Sequence, residues 1–195
     1  MGDMEFGHAP VRERADAARN RAKILAAASR LFEEKGVDDV SMDQIASEAQ
    51  VGKGTLFRRF GDKAGLAAAL LDTREHSLQM AILRGGPPLG PGASPTDRLA
   101  AFFVDYVLFL EANLDLVHLS ETASPGSRYR VGAYHFWHQH VRVLLTEARP
   151  DMDAGYMAHA LLAAVAADLR KGTREAISIE RVVAGVRSLV TTVAG

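Results

Sequence analysis

The chain has 195 residues, of which 48% are hydrophobic and 24% are charged, and its formal net charge is -1 at pH 7. This is the composition of an ordinary globular protein with one large or two small domains. The absence of cysteine excludes disulfides, thiolate metal sites and cysteine catalysis. No apolar run reaches the ~18 residues that a membrane span needs, so we expect a cytoplasmic protein with no membrane partner.

The first segment, MGDMEFGHAPVRERADAARN, mixes acids with bases and lacks the apolar core of a secretion signal. We predict a flexible tail over residues 1–16 and a first helix from Ala17 to Lys35. Apolar residues recur on one face of this helix at i, i+4 and i+7 spacing, namely Ile24, Leu25, Ala28, Leu31 and Phe32.

The next segment, Ser41 to Leu66, predicts two short helices joined by a tight turn. Ser41 stands three residues before Gln44, which is the spacing of a reciprocal capping box. The first short helix closes at Gln50, and the second follows the bend with Leu56 and Phe60 on its inner face. One helix bracing a second helix that enters the major groove is the anatomy of a helix-turn-helix.

The charge of the second short helix agrees with this interpretation. Between Gly52 and Lys63 the net charge is +3, from four bases and one acid, in a chain that is nearly neutral. Such a local excess can meet DNA phosphates, although a short run of bases is more often only a solvated helix face. The cap, the turn and the flanking apolar pattern favour DNA.

Two stretches carry a resemblance to a known family: RAKILAAASRLFEEKGVDDVSMDQIA (21–46) and QVGKGTLFRRFGDKAGL (50–66). Together they resemble the DNA-binding domain of the TetR family of bacterial transcriptional regulators, over about the N-terminal third of the chain. Gln50 replaces the usual Gly of that pattern. Phe57 replaces the usual Tyr, which removes a hydroxyl that often reaches a phosphate in relatives.

The resemblance implies a double-stranded DNA partner with a pseudo-palindromic operator. It places Lys53, Gly54 and Thr55 against base edges, and Arg58, Arg59 and Lys63 against phosphates. The residues predicted to bind DNA are Ser41, Lys53, Gly54, Thr55, Phe57, Arg58, Arg59 and Lys63.

The rest of the chain is also helical in pattern, with no alternating run and no internal repeat, so we predict an all-α fold of about nine helices. A helix-turn-helix domain over residues 17–62 is followed by a connecting helix over 63–84, with Asp62 as its N-cap. The sequence GGPPLGPGASP predicts a flexible linker over 85–95, and residues 96–195 form the larger domain for ligand binding and dimerisation.

Two helices of the larger domain, Met157 to Lys171 and Ser178 to Val193, have wide apolar surfaces. The resemblance implies that they pair with their copies in a homodimer, although each stripe could instead be intramolecular core. The predicted dimer residues are Leu161, Ala164, Val165, Val182, Val183, Val186, Leu189 and Val190.

Aromatic residues with a few polar groups suit a planar or amphipathic organic ligand, although for any single one of them ordinary core is the more frequent role. The candidate pocket residues are Phe102, Phe103, Tyr106, Phe109, Leu110, His118, Tyr134, Trp137, His138 and Met157. The histidines at 135, 138 and 140 invite a zinc hypothesis, but no carboxylate stands at ligand spacing beside them, so we predict neither a metal nor a cofactor.

The function predicted from these observations is a homodimeric repressor that a small hydrophobic or aromatic effector releases from DNA. The alternatives are a ligand-independent regulator or activator with the same DNA-binding domain and, less favoured, a metal-responsive regulator. An enzyme is not expected, because the chain lacks the G-x-S-x-G and H-E-x-x-H motifs. VGKGT follows a helix rather than a strand and lacks the first Gly of a phosphate-binding loop.

Overall fold

The computed structural model describes residues 9–130 and 132–195, in which every regular element is helical. Two compact units are present, one ending at Leu70 and one beginning at Leu71. The all-α prediction is confirmed; the described residues contain ten α-helices and one 3-10 turn, against about nine helices predicted.

The first unit contains α1 (Ala9–Lys35), α2 (Met42–Glu48), α3 (Lys53–Phe60) and the first residues of α4 (Lys63–Arg84). The second unit contains the rest of α4, then α5 (Pro95–Ala112), α6 (Leu114–Thr122), the 3-10 turn Ser127–Arg130, α7 (Gly132–Ala148), α8 (Ala154–Ala163), α9 (Ala167–Thr173) and α10 (Ile179–Ala194). None of the described helices combines the length and the apolarity needed to cross a bilayer.

Helix α1 begins earlier than the predicted start at Ala17. Residues 9–16 of the predicted tail are helical, and residues 1–8 lie outside the described part of the chain. Pro10 falls in the first turn, where its missing N–H costs nothing, and good helix formers follow it.

The core of the first unit is small and comes from every helix in it. Ile24 and Ala28 of α1, Ile45 of α2, Leu56 of α3 and Leu66 of α4 are all fully buried. Asp62 caps α4 as predicted, because its Oδ1 accepts from the Gly65 amide at 2.8 Å.

The predicted linker at 85–95 is irregular but is not a boundary between compact units. Leu89 packs against the hydrophobic core of the second unit and Gly90 is buried. A Cβ at Gly90 would come within 1.9 Å of the Gly85 carbonyl oxygen, so the loop doubles back on itself at a position that only glycine fits.

The core of the second unit lies where α5 packs against α7 and α10, and where α7 packs against α8. Phe102, Phe103 and Tyr106 of α5 meet Trp137 of α7 in a cluster of rings 5.1 to 5.9 Å apart at their centroids. This is ordinary offset and edge-to-face aromatic packing.

The helix predicted over Met157 to Lys171 is broken in two. Helix α8 ends at Ala163 and α9 begins at Ala167, with Ala166 in an extended conformation and no proline or glycine at the break. Nothing in the local sequence signals this interruption.

A buried ion pair bridges the break between α8 and α9. Arg128 Nη1 lies 2.5 Å from Glu121 Oε2, and both side chains are 10% exposed. Arg128 Nη2 donates to the Leu162 carbonyl at 2.8 Å, and the Ala167 amide donates to the Glu121 carboxylate at 3.3 Å. The pair therefore links the end of α8 to the start of α9.

Replacing Arg128 with Met should lower the free energy of unfolding of the second unit by about 3–5 kcal/mol, because it leaves the Glu121 carboxylate buried without a counter-ion. Urea unfolding followed by fluorescence of Trp137, the single tryptophan, measures this loss. The double variant Arg128→Met with Glu121→Leu should recover most of it. A single variant that loses less than about 1 kcal/mol would mean that the pair does not hold the break.

Candidate nucleic-acid interface

Helix α2 is fixed at both ends by local hydrogen bonds, and those at its C-terminus form the turn to α3. The Ser41 hydroxyl accepts from the Gln44 amide at 3.2 Å, and Gln44 Oε1 accepts from the Ser41 amide at 2.8 Å, which confirms the predicted capping box. After α2 the Val51 amide donates to the Ala46 carbonyl and the Gln50 amide donates to the Ser47 carbonyl. This pair of bonds is a Schellman motif.

The Schellman motif requires a left-handed residue, and that residue is Gln50 with φ of 55°. Glycine usually takes this conformation because it has no Cβ to clash with the backbone. Gln50 therefore alters more than turn detail, since it holds a strained conformation that costs on the order of 1 kcal/mol.

Gly65 determines how closely α4 approaches the end of α3. A Cβ on Gly65 would come within 2.0 Å of the Phe60 carbonyl oxygen. Only glycine lets the first turn of α4 pass this close to the end of the helix before it.

Helix α3 has one buried and one exposed face. Leu56 is completely buried and Phe60 is half-buried, whereas Lys53, Gly54 and Arg58 are exposed. Phe57 is 45% exposed and lies one turn from Lys53 on the same side. Thr55 is half-buried. Arg59 is exposed as well, so α3 presents three cations, one bare backbone position and one aromatic ring.

The cations of this region are in three different environments. Lys53 Nζ lies 2.5 Å from the Asp43 carboxylate of α2, and both side chains are more than half exposed. Arg59 donates to the Ala17 carbonyl of α1. Arg58 is exposed, and among the described residues no partner is found for its guanidinium.

Lys63 is engaged inside the unit. Its Nζ lies 2.8 Å from the Val37 carbonyl, 3.1 Å from the Val40 carbonyl and 3.4 Å from the Asp38 carbonyl. The lysine at the start of α4 thereby ties down the loop between α1 and α2. Its predicted phosphate contact remains a prediction, and the structure adds a second role to it.

Sequence reasoning missed Asp43, which stands ten residues before Lys53 with no motif linking the two. Only the crossing of α2 and α3 brings the carboxylate to the lysine. The contact of Lys63 with the loop between α1 and α2 had no sequence signal either, because its acceptors are backbone carbonyls.

The predicted ligand-pocket residues fall mostly in packed core. Six of them are 4% exposed or less: Phe102, Phe103, Tyr106, Leu110, Tyr134 and Trp137. Phe109 and Met157 are partly buried against the same core. His138 Nε2 lies 3.1 Å from the Gly155 carbonyl oxygen and His118 lies 3.4 Å from Asp168, so both are already engaged.

The histidines of α7 do not gather around one point. His138 stacks on His159 with ring centroids 4.0 Å apart, while His140 packs against Phe102. Burial, together with the nearby Arg98, lowers the pKa of His140 to about 4. Within residues 9–130 and 132–195 no group of three or more metal-ligating side chains comes together.

The predicted dimer residues divide between core and surface. Leu161, Val165, Val186 and Val190 are buried within the chain itself. Ala164, Val182 and Val183 are half-buried, and Leu189 is 37% exposed. The outer side of α10 therefore retains apolar surface after its inner side has packed on α5.

Comparison with known proteins finds a family that is similar to the N-terminal unit. Residues 24–70 match the family of bacterial regulatory proteins described as the tetR family. An HTH-type transcriptional regulator of Staphylococcus aureus is 49% identical over 53 residues, which are 27% of this chain and 29% of that protein. The match spans less than a third of the relative's length.

Solved structures resemble the chain over most of its length. A TetR-family transcriptional regulator from Rhodococcus sp. matches with a TM-score of 0.65 at 18% identity, covering 91% of this chain and 100% of that one. NalD of Pseudomonas aeruginosa, described as the secondary repressor of the MexAB-OprM multidrug efflux pump, matches with a TM-score of 0.62 at 19% identity, covering 90% and 96%. At these low sequence identities the structural similarity shows the fold alone.

Replacing Lys63 with Met should loosen the first unit, because three backbone carbonyls lose a charged donor worth about 2 kcal/mol. Amide exchange of the buried residues Ile45 and Leu56 should become about thirtyfold faster. The exposed Lys23 supplies the matched control, Lys23→Met, for which exchange should not change. Equal exchange rates in both variants would show that Lys63 does not hold the loop.

Proposed function

Because residues 24–70 match the tetR family of bacterial regulatory proteins, we propose that the chain is a homodimeric repressor of this family that a small effector releases from DNA. The observation that carries the proposal is the exposed face of α3, on a helix-turn-helix that is capped, tightly turned and buried on its other face. The family is one of regulators rather than enzymes.

In this proposal the exposed face of α3 meets the major groove. Lys53 donates to guanine O6 and N7, and Gly54 lets the backbone approach the base edges. Phe57 has no hydroxyl for a phosphate, so its exposed ring is available to a thymine methyl group instead. Arg58 contacts phosphate, and Arg59 does so with the guanidinium donors that it does not give to the Ala17 carbonyl.

Two copies are required, because one helix-turn-helix contacts only a few base pairs. The outer faces of α8 and α10 are the proposed contact between subunits. Both expose small residues, Ala160 and Ala163 on one and Ala184 and Gly185 on the other, which allow close approach of helices. A self-complementary contact of this kind gives a twofold dimer and hence a pseudo-palindromic operator.

Release by an effector is proposed because NalD, of similar fold, is described as a repressor, and because the larger unit contains an apolar groove. The effector must bind the DNA-incompetent state more tightly, and that difference in affinity limits the release. A regulator with no effector, or an activator, is the alternative. Adding cell extract to the protein bound at its operator distinguishes the two mechanisms, because only the effector-released repressor leaves the DNA.

DNA binding itself is tested by retardation of a fragment taken from beside the gene. The purified protein should shift this fragment at a concentration that leaves unrelated DNA free. Equal retardation of both DNAs across a salt series would contradict sequence-specific recognition.

Lys53→Ala and Arg58→Ala should have different effects on that binding. Loss of Lys53 should cost about 1–3 kcal/mol at the preferred site and relax the preference at one base pair. Loss of Arg58 should weaken binding to all sequences and lower the slope of log K against log salt by about one unit. Titrations at several salt concentrations with matched and single-mismatch duplexes measure both effects.

The control for these two variants is Lys23→Ala, an exposed lysine outside α2 and α3. An unchanged base preference in Lys53→Ala would remove its base-reading role. An unchanged salt slope in Arg58→Ala would remove the phosphate contact.

Leu189→Glu should convert the dimer to a monomer, because it places a charge in the centre of the proposed contact without a partner. Sedimentation equilibrium measures the state, and operator affinity should fall more than tenfold with it. Thr191→Glu adds the same charge on the exposed side of α10 about 200° around the helix from Leu189 and should disturb pairing less. A Leu189→Glu protein that stays dimeric would place the interface on another surface.

A further inference from the structure

Two buried polar atoms of the second unit have no hydrogen-bond partner. They are Nε of Arg98 on α5 and Nε2 of His140 on α7, and no other buried side-chain nitrogen or oxygen in the part of the chain that the structure describes is without one. Buried polar groups are almost always hydrogen-bonded, because burial removes their bonds to water. Two such atoms close together indicate a polar group that is not part of the chain.

The two side chains lie near each other where α5 packs against α7. The His140 ring lies edge-on against Phe102, one turn after Arg98, with the ring centroids 5.1 Å apart. Burial first, and then the nearby charge of Arg98, lower the pKa of His140 to about 4. The imidazole is therefore neutral at pH 7, with one ring nitrogen protonated, and it can donate a hydrogen bond from Nε2 in one of its two tautomers.

Arg98 has no counter-ion among the residues that the structure describes. Among them no carboxylate lies within ion-pair distance of its guanidinium, and the adjacent acid, Asp97, accepts from the Ser94 hydroxyl at 2.7 Å instead. Arg98 as a whole is half-buried, so its side chain extends from the core, where Nε lies, towards solvent. A guanidinium in this position is suited to an anion that enters from solvent, and its planar donors fit a carboxylate.

We propose that Arg98 and His140 bind the carboxylate of a small aromatic acid. Its two oxygens accept from Arg98 Nε and His140 Nε2, which meets both unpartnered atoms and balances the charge of Arg98. Phe102 and Leu144, each one turn from one of the two residues, are 1% exposed or less, and Phe102 belongs to the cluster of rings at the centre of this unit, so the neighbouring side chains suit an aromatic body. An amide of the same shape leaves the charge of Arg98 unbalanced, and an ammonium group is repelled by it.

The inference deepens the proposed function, because it names the class of effector and two residues that hold it, and it rests on that proposal for the effect on DNA. Neither Arg98 nor His140 is among the residues of the proposed dimer contact, so the assignment does not depend on how two copies pair. Binding is measured without DNA and is thereby tested independently of operator recognition.

The test is calorimetric titration of the full-length protein with benzoate, beside benzamide and benzylammonium. Benzoate should bind with one site per chain, benzamide at least about tenfold more weakly, and benzylammonium not at all. In NMR spectra the ring C–H resonances of His140 should shift as benzoate binds, whereas those of the exposed His76 should stay in place.

Two variants separate a binding role from a structural one. Arg98→Met and His140→Phe keep an apolar side chain in place but remove its polar atoms, so each should weaken benzoate binding more than about tenfold. Because each also removes an unpartnered atom from the interior, the urea midpoint of unfolding should stay the same or rise. Arg142→Met removes an exposed arginine of α7 two residues from His140; it is the matched control and should bind benzoate normally.

Equal binding of benzoate and benzamide, or full benzoate affinity in either variant, would overturn the proposal. So would an absence of benzoate binding, because an ordered water alone would then meet the two atoms. A lower urea midpoint in both variants would overturn it too, because the two side chains would then be structural. A protein that binds benzoate but no DNA retains the site and loses the proposed function. A protein that binds its operator but not benzoate loses only the site.

Discussion

Backbone carbonyls freed where helices end must find donors, and in this chain long basic side chains supply them. Lys63 donates hydrogen bonds to three carbonyls of the loop between α1 and α2. Arg128 donates to the Leu162 carbonyl at the break before α9, and Arg170 donates to the Ile177 carbonyl before α10. A lysine or arginine can do this because its charged end sits on a flexible apolar stem that reaches across a helix. These contacts stabilise the irregular segments between the helices.

This use of basic residues explains which parts of the interface could be predicted from sequence. The capping box of Ser41 and Gln44 and the faces of α3 depend on neighbours within a few residues, so spacing alone predicts them. The partners of Lys53, Arg59 and Lys63 lie ten or more residues away, or are backbone atoms. A net charge of +3 therefore indicated the kind of surface without revealing which of its cations are already engaged.

The larger unit shows a different limit of sequence reasoning. Valine and leucine recur along α10 in stripes that periodicity can detect, yet the same residue types serve the core and an exposed contact. Val186 and Val190 turn inward against α5, while Leu189 remains at the surface. The break between α8 and α9 was equally hidden, since a tertiary ion pair rather than a proline or glycine stabilises it. Packing decides these features, and packing is not local.

The Asp43–Lys53 pair has a consequence for how such a protein would search a genome. A free lysine gains from any phosphate, so it slows travel along DNA of every sequence. A lysine already matched with a carboxylate exchanges one anion for another and gains little from a bare backbone. Only a site with good hydrogen-bond acceptors on a base edge compensates Lys53 for the loss of the Asp43 carboxylate. Asp43 would thus shorten the residence time of the protein on non-specific DNA while leaving its affinity for the operator high.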